Sequence, residues 1–150
     1  MSKRIYLFHL IENLSEHFYR LHIEILNKIN YKDLSPSHLD ILYLLVRNNT
    51  LSMKELAEGI RRDKSTITAL VRKLEQINLV SRIPDEKDKR VVFLTLTPTG
   101  KKLKRLLITS YERMHRTAGA GLTINQQNQL FELLESLLSN LEQNNLKKTN

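Results

Sequence analysis

SMKELAEGI-RRDKSTITALVRKLEQINLV-SRIPDEKDKRVVFLTLTPTG, residues 52–100, is the stretch from which the rest of the chain can be read. It parses as two helices, a basic turn between them, and a β-hairpin with a charged tip. In the second helix Asp63 stands where its carboxylate can accept a first-turn backbone N–H, an N-cap position. Beyond it Ile67, Leu70, Val71, Leu74 and Ile77 recur at the 3–4 spacing of one buried stripe. The opposite face carries Ser65, Thr68, Ala69, Arg72 and Gln76, which are small, hydroxylic, amide or cationic. On an isolated helix such a face reads as solvated surface. Next to a second helix and a basic turn it reads as a face that approaches DNA, with Arg72 able to reach a guanine edge or a phosphate.

The flanking elements supply that context. Ser52 and Glu55 sit at capping-box spacing at the start of the first helix, and Leu56 and Ile60 give it an apolar side. Gly59-Ile60-Arg61-Arg62 makes the basic turn. Val80 to Ile83 and Val91 to Leu96 are rich in β-branched and aromatic residues, as two strands of a hairpin require. Alternation puts Val92, Leu94 and Leu96 on one face. The tip, Pro84 to Arg90, is turn-formers and charge. The expected fold is mainly α with a small β-hairpin wing: a winged helix-turn-helix flanked by further helices.

The pattern from Leu56 to Gly100 resembles the DNA-binding core of the MarR family of prokaryotic transcriptional regulators. Its most specific part is Asp85-x-x-Asp88-x-Arg90, followed after a short strand by Leu96-Thr97-x-x-Gly100. The resemblance implies that Arg90, at the wing tip, enters the minor groove and that Asp88 steadies it. A narrow minor groove concentrates negative potential and draws arginine, which suits that role. The resemblance further implies base reading by Arg72, Thr68 and Ser65, and phosphate contacts by Arg61, Arg62, Lys64 and Lys73, with Lys89 beside Arg90 at the wing tip. Two positions depart from the family's usual glycines, Arg61 and Asn78. Asparagine tolerates the left-handed conformation that a helix end needs, so the same geometry is expected there.

Length and composition agree with a DNA-binding regulator. One domain, or one domain with dimerising arms, fits 150 residues. A net charge of +8 favours a polyanionic partner. The absence of cysteine excludes disulfides and any thiol redox sensor of the kind some MarR members use. Ile41 to Val46, the longest apolar run, is too short to span a bilayer, and no signal-peptide pattern opens the chain, so the expected location is cytoplasmic, with no membrane partner.

Outside the core, Ile5 to about Ile29 reads as a long helix with a stripe of Leu7, Leu10, Leu14, Phe18, Leu21, Ile25 and Ile29, and a partial second stripe of Ile11, Tyr19 and Ile23. A helix apolar on more than one side is a signal for self-association. Ser35-Pro36 starts the next helix, which carries Leu39, Leu42, Tyr43 and Val46 inward. Leu51-Ser52 can pair with the wing as a third strand. Thr97-Pro98 opens a helix expected to run to about Ala118; Lys101, Lys102, Lys104 and Arg105 crowd its first turns, for phosphate neutralisation or for solubility. Gly119-Ala120-Gly121 breaks it, Thr123 and Gln126 form a capping box, and a leucine-dense last helix follows. The expected organisation is 1–34, an N-terminal dimerisation helix and linker; 35–100, the DNA-binding lobe; and 101–150, C-terminal dimerisation helices.

The family resemblance implies a homodimer whose recognition helices read half-sites of a pseudo-palindrome, most often as a repressor, with a small-molecule effector bound between the dimerisation helices and the lobe. Candidates for lining such a site are His17, Phe18, Arg20, Tyr43 and Tyr111, which are also residues of a core and its rim. The five histidines are scattered, and Asp40 stands where zinc-sensing relatives tend to place a histidine, so no metal or cofactor is expected. No phosphate-binding glycine loop or nucleophile elbow is present, and Asp85 and Asp88 sit on a basic tip without a pocket, so no enzyme is expected. The competing readings are a winged helix used for protein contacts, and a ligand- or metal-sensing protein that binds DNA incidentally.

Overall fold

The computed structural model describes residues 3–85 and 91–147. Its elements, in chain order, are α1 (Lys3–Ile29), α2 (Pro36–Asn48), β1 (Thr50–Ser52), α3 (Met53–Ile60), α4 (Lys64–Gln76), β2 (Val80–Pro84), β3 (Val92–Leu96), α5 (Pro98–Lys101), α6 (Lys104–Ala118) and α7 (Ile124–Lys147). The chain divides into two compact units, Met1–Glu112 and Arg113–Asn150.

In the first unit the sheet is antiparallel with order β1-β3-β2, so the hairpin's second strand is central and the short strand before α3 closes the other edge. Leu51 stands opposite Leu94, and Val80 opposite Leu96. The core gathers Leu39, Ile41, Leu42 and Leu45 of α2, Leu56 of α3, Ile67, Val71 and Leu74 of α4, and Leu94 of β3, each essentially inaccessible to solvent. In α1 only the C-terminal end joins it, through Ile25, Leu26 and Ile29. Leu7, Leu10 and Leu14, on the same expected stripe, are exposed, and Leu26 is buried although the stripe passed it over.

Caps explain where the helices start. Ser52 Oγ accepts the Glu55 N–H at 3.2 Å and Glu55 returns the bond to the Ser52 N–H at 2.7 Å, the expected capping box. At α2 the cap is less ordinary. The Ser35 N–H donates to His38 Nδ1 at 3.0 Å, so a histidine takes the place usually held by a glutamate or glutamine. His38 is buried, and burial, with Lys73 nearby, pushes its ring below the ordinary histidine value, keeping Nδ1 free to accept.

The helix expected from Thr97 to about Ala118 is two helices. The N–H groups of Lys102 and Leu103 bond three residues back, to Thr99 and Gly100, which tightens the backbone and separates α5 from α6. Gly100 packs closely at this junction: a Cβ there would lie 2.1 Å from the Leu79 carbonyl oxygen. Thr97 fastens the same junction. Its hydroxyl donates to the Asn78 carbonyl at 2.6 Å and accepts the Gly100 N–H at 3.0 Å, while its own N–H donates to Leu79 O at 3.1 Å.

In the second unit α7 begins at the expected capping box, with Thr123 N–H on Gln126 Oε1 at 2.8 Å and Gln126 N–H on Thr123 Oγ1 at 3.3 Å. Along α7, Ile124, Leu130, Phe131, Leu133, Leu134, Leu138 and Leu141 are all exposed. Among the described residues, no helix is long and apolar enough to cross a membrane.

Candidate nucleic-acid interface

The helix-turn-helix is closed at both joints by left-handed residues other than glycine. Arg61 (φ 54°, ψ 52°) ends α3, with Arg62 N–H reaching back to Ala57 O at 3.1 Å. Asn78 (φ 57°) follows α4, with Leu79 N–H on Leu74 O at 2.9 Å. Both are Schellman-type closures. The geometry expected of Asn78 is present, and Arg61 adopts the same conformation with a cationic side chain at the turn.

Asp63 caps α4 as expected. Its carboxylate accepts the Thr66 N–H at 2.9 Å and the hydroxyls of Ser65 and Thr66. The Ser65 hydroxyl above all, then Thr66, holds this carboxyl well below the usual carboxylate range, so Asp63 stays ionised. Thr68 donates its hydroxyl proton to Lys64 O at 2.7 Å. An ionised carboxylate and a carbonyl only accept, so the protons of Ser65 and Thr68 are committed within the helix. What these two side chains offer outward is lone pairs, which suit exocyclic amino groups of adenine or cytosine, plus the Thr68 methyl for a thymine methyl.

Ile67, Val71 and Leu74 are fully buried, Leu70 and Ile77 half-buried. Ser65, Thr68, Ala69, Arg72 and Gln76 are exposed together on the other side, as expected. Arg61, Arg62 and Lys64 are exposed at the turn and the first residue of α4; Lys73 is half-buried on the flank beside His38. In the wing, β2 and β3 pair from Val80 with Leu96 to Pro84 with Val92, and Asp85 N–H reaches Val91 O at 2.9 Å. Asp88, Lys89 and Arg90, the expected wing-tip contacts, lie outside the described residues.

One pair that sequence reasoning passed over joins the wing to α4: Arg82 Nε donates to Glu75 Oε1 at 2.8 Å and Nη2 to Oε2 at 3.2 Å. Its signal was present. Glu75 lies in the last turn of α4, against the helix dipole, and Arg82 shares the inward parity of Val80.

The effector candidates fall into two groups. Tyr43 and Tyr111 stack with ring centroids 4.0 Å apart and planes 7° from parallel. Tyr111 is buried and donates its hydroxyl to Asp40 Oδ1 at 3.0 Å. Burial first, and the facing Asp40 carboxylate second, push this phenol's pKa upward. His22, edge-on to Tyr111 at 5.7 Å, was not among the candidates. Its Nδ1 donates to Phe18 O at 2.7 Å, which leaves Nε2 turned toward Asp40 at 3.5 Å, ion-pair range but too long for a good hydrogen bond. Asp40 raises the His22 pKa, against the opposing effect of burial. His17 and Arg20, by contrast, are exposed on α1, with Arg20 Nη2 3.3 Å from His17 Nδ1. Phe18 is half-buried. Among the described residues, no group of three or more His, Cys, Asp or Glu is placed to hold a metal ion.

Known proteins match this geometry. The family model described as "MarR family" matches residues 34–92. The HTH-type transcriptional regulator YybA of Bacillus subtilis is 30% identical over 122 residues, covering 80% of this chain and 81% of its own. Among solved structures, the transcription regulator MarR of Oenococcus oeni superposes with a TM-score of 0.82 at 22% identity, covering 89% of this chain and 98% of that one. A variant of E. coli MarR complexed with operator DNA gives a TM-score of 0.70 at 23% identity, over 91% and 96% of the two chains. At these identities the structures establish the winged-helix fold, and the matching sequences are those of transcription regulators, not enzymes. The coverage of YybA together with the family match is decisive: the chain belongs to the MarR family of transcriptional regulators.

Proposed function

We propose that this regulator binds a pseudo-palindromic operator as a homodimer in the cytoplasm and represses transcription from it, until a small-molecule effector releases the DNA. The observation that carries the reading is the exposed face of α4, where Ser65, Thr68 and Arg72 stand clear on a helix whose other side is locked into the core. Arg72 reads a guanine edge, Ser65 and Thr68 accept from base amino groups, and Lys64, Arg61, Arg62 and Lys73 hold phosphates. Arg90 enters the minor groove, with Asp88 orienting it and Lys89 adding charge. The similarity to a MarR structure bound to operator DNA supports DNA as the partner.

Self-association is supported by the apolar residues left in solvent on α1 and α7. We assign residues 1–34 and 101–150 to dimerisation and 35–100 to DNA binding. Two-fold symmetry then sets the half-sites about one helical turn, roughly 34 Å, apart. An effector that binds a different spacing better lowers operator affinity by that preference and no more. Tyr43 and Tyr111 are the favoured members of the effector site, with His17, Phe18 and Arg20 as its α1 side. The test is binding to the DNA upstream of the protein's own gene against a scrambled duplex, across a salt series. Tight, dimeric binding to the native duplex at moderate salt is expected. Equal binding to both, collapsing with salt, would leave only generic charge attraction.

A further inference from the structure

Glu75 and Arg82 are each poorly explained by their own element. A carboxylate in the last turn of α4 faces the negative end of the helix dipole. An arginine at the inward parity of β2, opposite the fully buried Leu94, stands where a strand ordinarily places an apolar residue. Together they form a two-bond, planar fork, the geometry in which an arginine–carboxylate pair fixes orientation as well as distance. The fork ties the recognition helix to the hairpin part-way along its length; beyond it, Ile83 and Val91 are exposed to solvent.

We infer that the Glu75–Arg82 pair is a positioning device for operator recognition: it sets the angle between the wing and α4, so that both reach their grooves at once. This rests on the operator-binding reading above. The leverage is the reason. A strand advances about 3.3 Å per residue, so the arm from Ile83 to Asp85 is roughly 10 Å long, and a swing of about 15° at its base displaces its end by about 3 Å. That is the length of a hydrogen bond, enough to take an arginine out of a groove. The rival role for Arg82 is a direct phosphate contact, with Glu75 merely damping it. The two roles predict opposite signs for one substitution.

Glu75→Gln keeps the side chain's size and removes its charge. If Arg82 is a phosphate contact, the variant binds every duplex more tightly, because a carboxylate has left a DNA-facing surface. On the positioning role, affinity for the preferred duplex falls about fivefold, while the scrambled duplex is bound no more weakly. The thermal melt stays within a degree or two of wild type, and the double swap Glu75→Arg with Arg82→Glu recovers most of the lost affinity. Hydroxyl-radical footprints of the Glu75→Gln variant lose the minor-groove protection assigned to the wing and keep that assigned to α4.

A measurement without DNA separates this inference from the operator reading. The chain has no cysteine, so Lys87→Cys and Glu58→Cys can be spin-labelled without background, in full-length protein mixed with excess unlabelled chain. Glu75→Gln is expected to broaden the distance distribution between the labels, and the double swap to narrow it again. An unchanged distribution overturns the positioning role whatever the DNA result, as does unchanged or tighter binding to the preferred duplex. If the wild-type protein prefers no duplex, the operator reading fails, and with it the recognition role of the pair; the label distances then report separately whether the pair holds the wing.

Discussion

The two units of this chain carry apolar residues at the same helical spacing and treat them in opposite ways. In Met1–Glu112 the stripes of α2, α3 and α4 close on one another, and nine residues of these helices and of β3 are sealed from solvent. In Arg113–Asn150, none of the described side chains is buried; α7 leaves leucine after leucine in water. Periodicity alone therefore says that a face will be covered, and not by what. In the first unit the cover is intramolecular, because α3, α4 and the sheet are short and joined by tight turns that fold them back on α2. In the second the apolar residues of α7 face solvent, which is the observation behind the self-association proposed above.

Substitutions can break this contrast. The largest effect is expected at Gly100→Ala. Its Cβ would meet a backbone carbonyl, which cannot step aside as a side chain does, so the lobe should lose about 3 kcal/mol or more, seen as a fall in Tm and in the denaturant midpoint. Near-normal stability would mean that the α5 junction can relax. Leu134→Lys on α7 should do the converse. The lobe's melt at low protein concentration should hold, while self-association weakens by about a hundredfold, which is about 2.7 kcal/mol, in sedimentation equilibrium. If association is untouched, this face of α7 is not its site. Arg72→Ala should leave both units folded and relax discrimination at one base position per half-site by about 1–3 kcal/mol; uniform weakening across sequences would make it a phosphate contact.

The smallest effect concerns pH. His38 is held below the ordinary histidine value of 6.5, so the unfolded chain takes up a proton more readily than the native one. The stability this histidine contributes is present above pH 6.5 and is lost as the pH falls through its native value. His22, raised by Asp40, has the opposite sign: its contribution is present below 6.5 and is lost as the pH rises through its native value. His38→Gln retains a capping side chain and cannot titrate, so the acid-side loss in stability between pH 7 and pH 5 should shrink. An unchanged slope would place the acid sensitivity elsewhere.

Much of the lobe was legible because its signals are local. Asp63, the Ser52–Glu55 box, the α4 stripe and the alternation of β3 each declare an element within a few residues, and each is found in place. The split between α5 and α6 was not legible; it lies beside the close approach of Gly100 to Leu79, twenty-one positions away, a contact the expected continuous helix ignored. His38 escaped because a histidine at the third helical position is read as a core or surface residue before it is read as a cap. The exposed end of α1 shows the same limit at larger scale: Leu7, Leu10 and Leu14 continue the stripe of Ile25 and Ile29 without break, yet α2 packs only on its far end. For the candidate interface, the exposed residues of α4 were identifiable by subtraction from the buried stripe. The Glu75–Arg82 fork required knowing that a helix end and a strand come together.

The clasp at Thr97 has a consequence for how such proteins can diverge or be engineered. By bonding to both Asn78 and Gly100, one threonine joins the two ends of the hairpin at its root. The lobe is thus insulated from whatever length of chain lies between. Adding residues at the tip extends a loop whose ends are already held, and each doubling of such a loop costs only about 0.6 kcal/mol. The wing is therefore a reach that can be lengthened, shortened or replaced by another peptide while the body that carries it keeps its melting point.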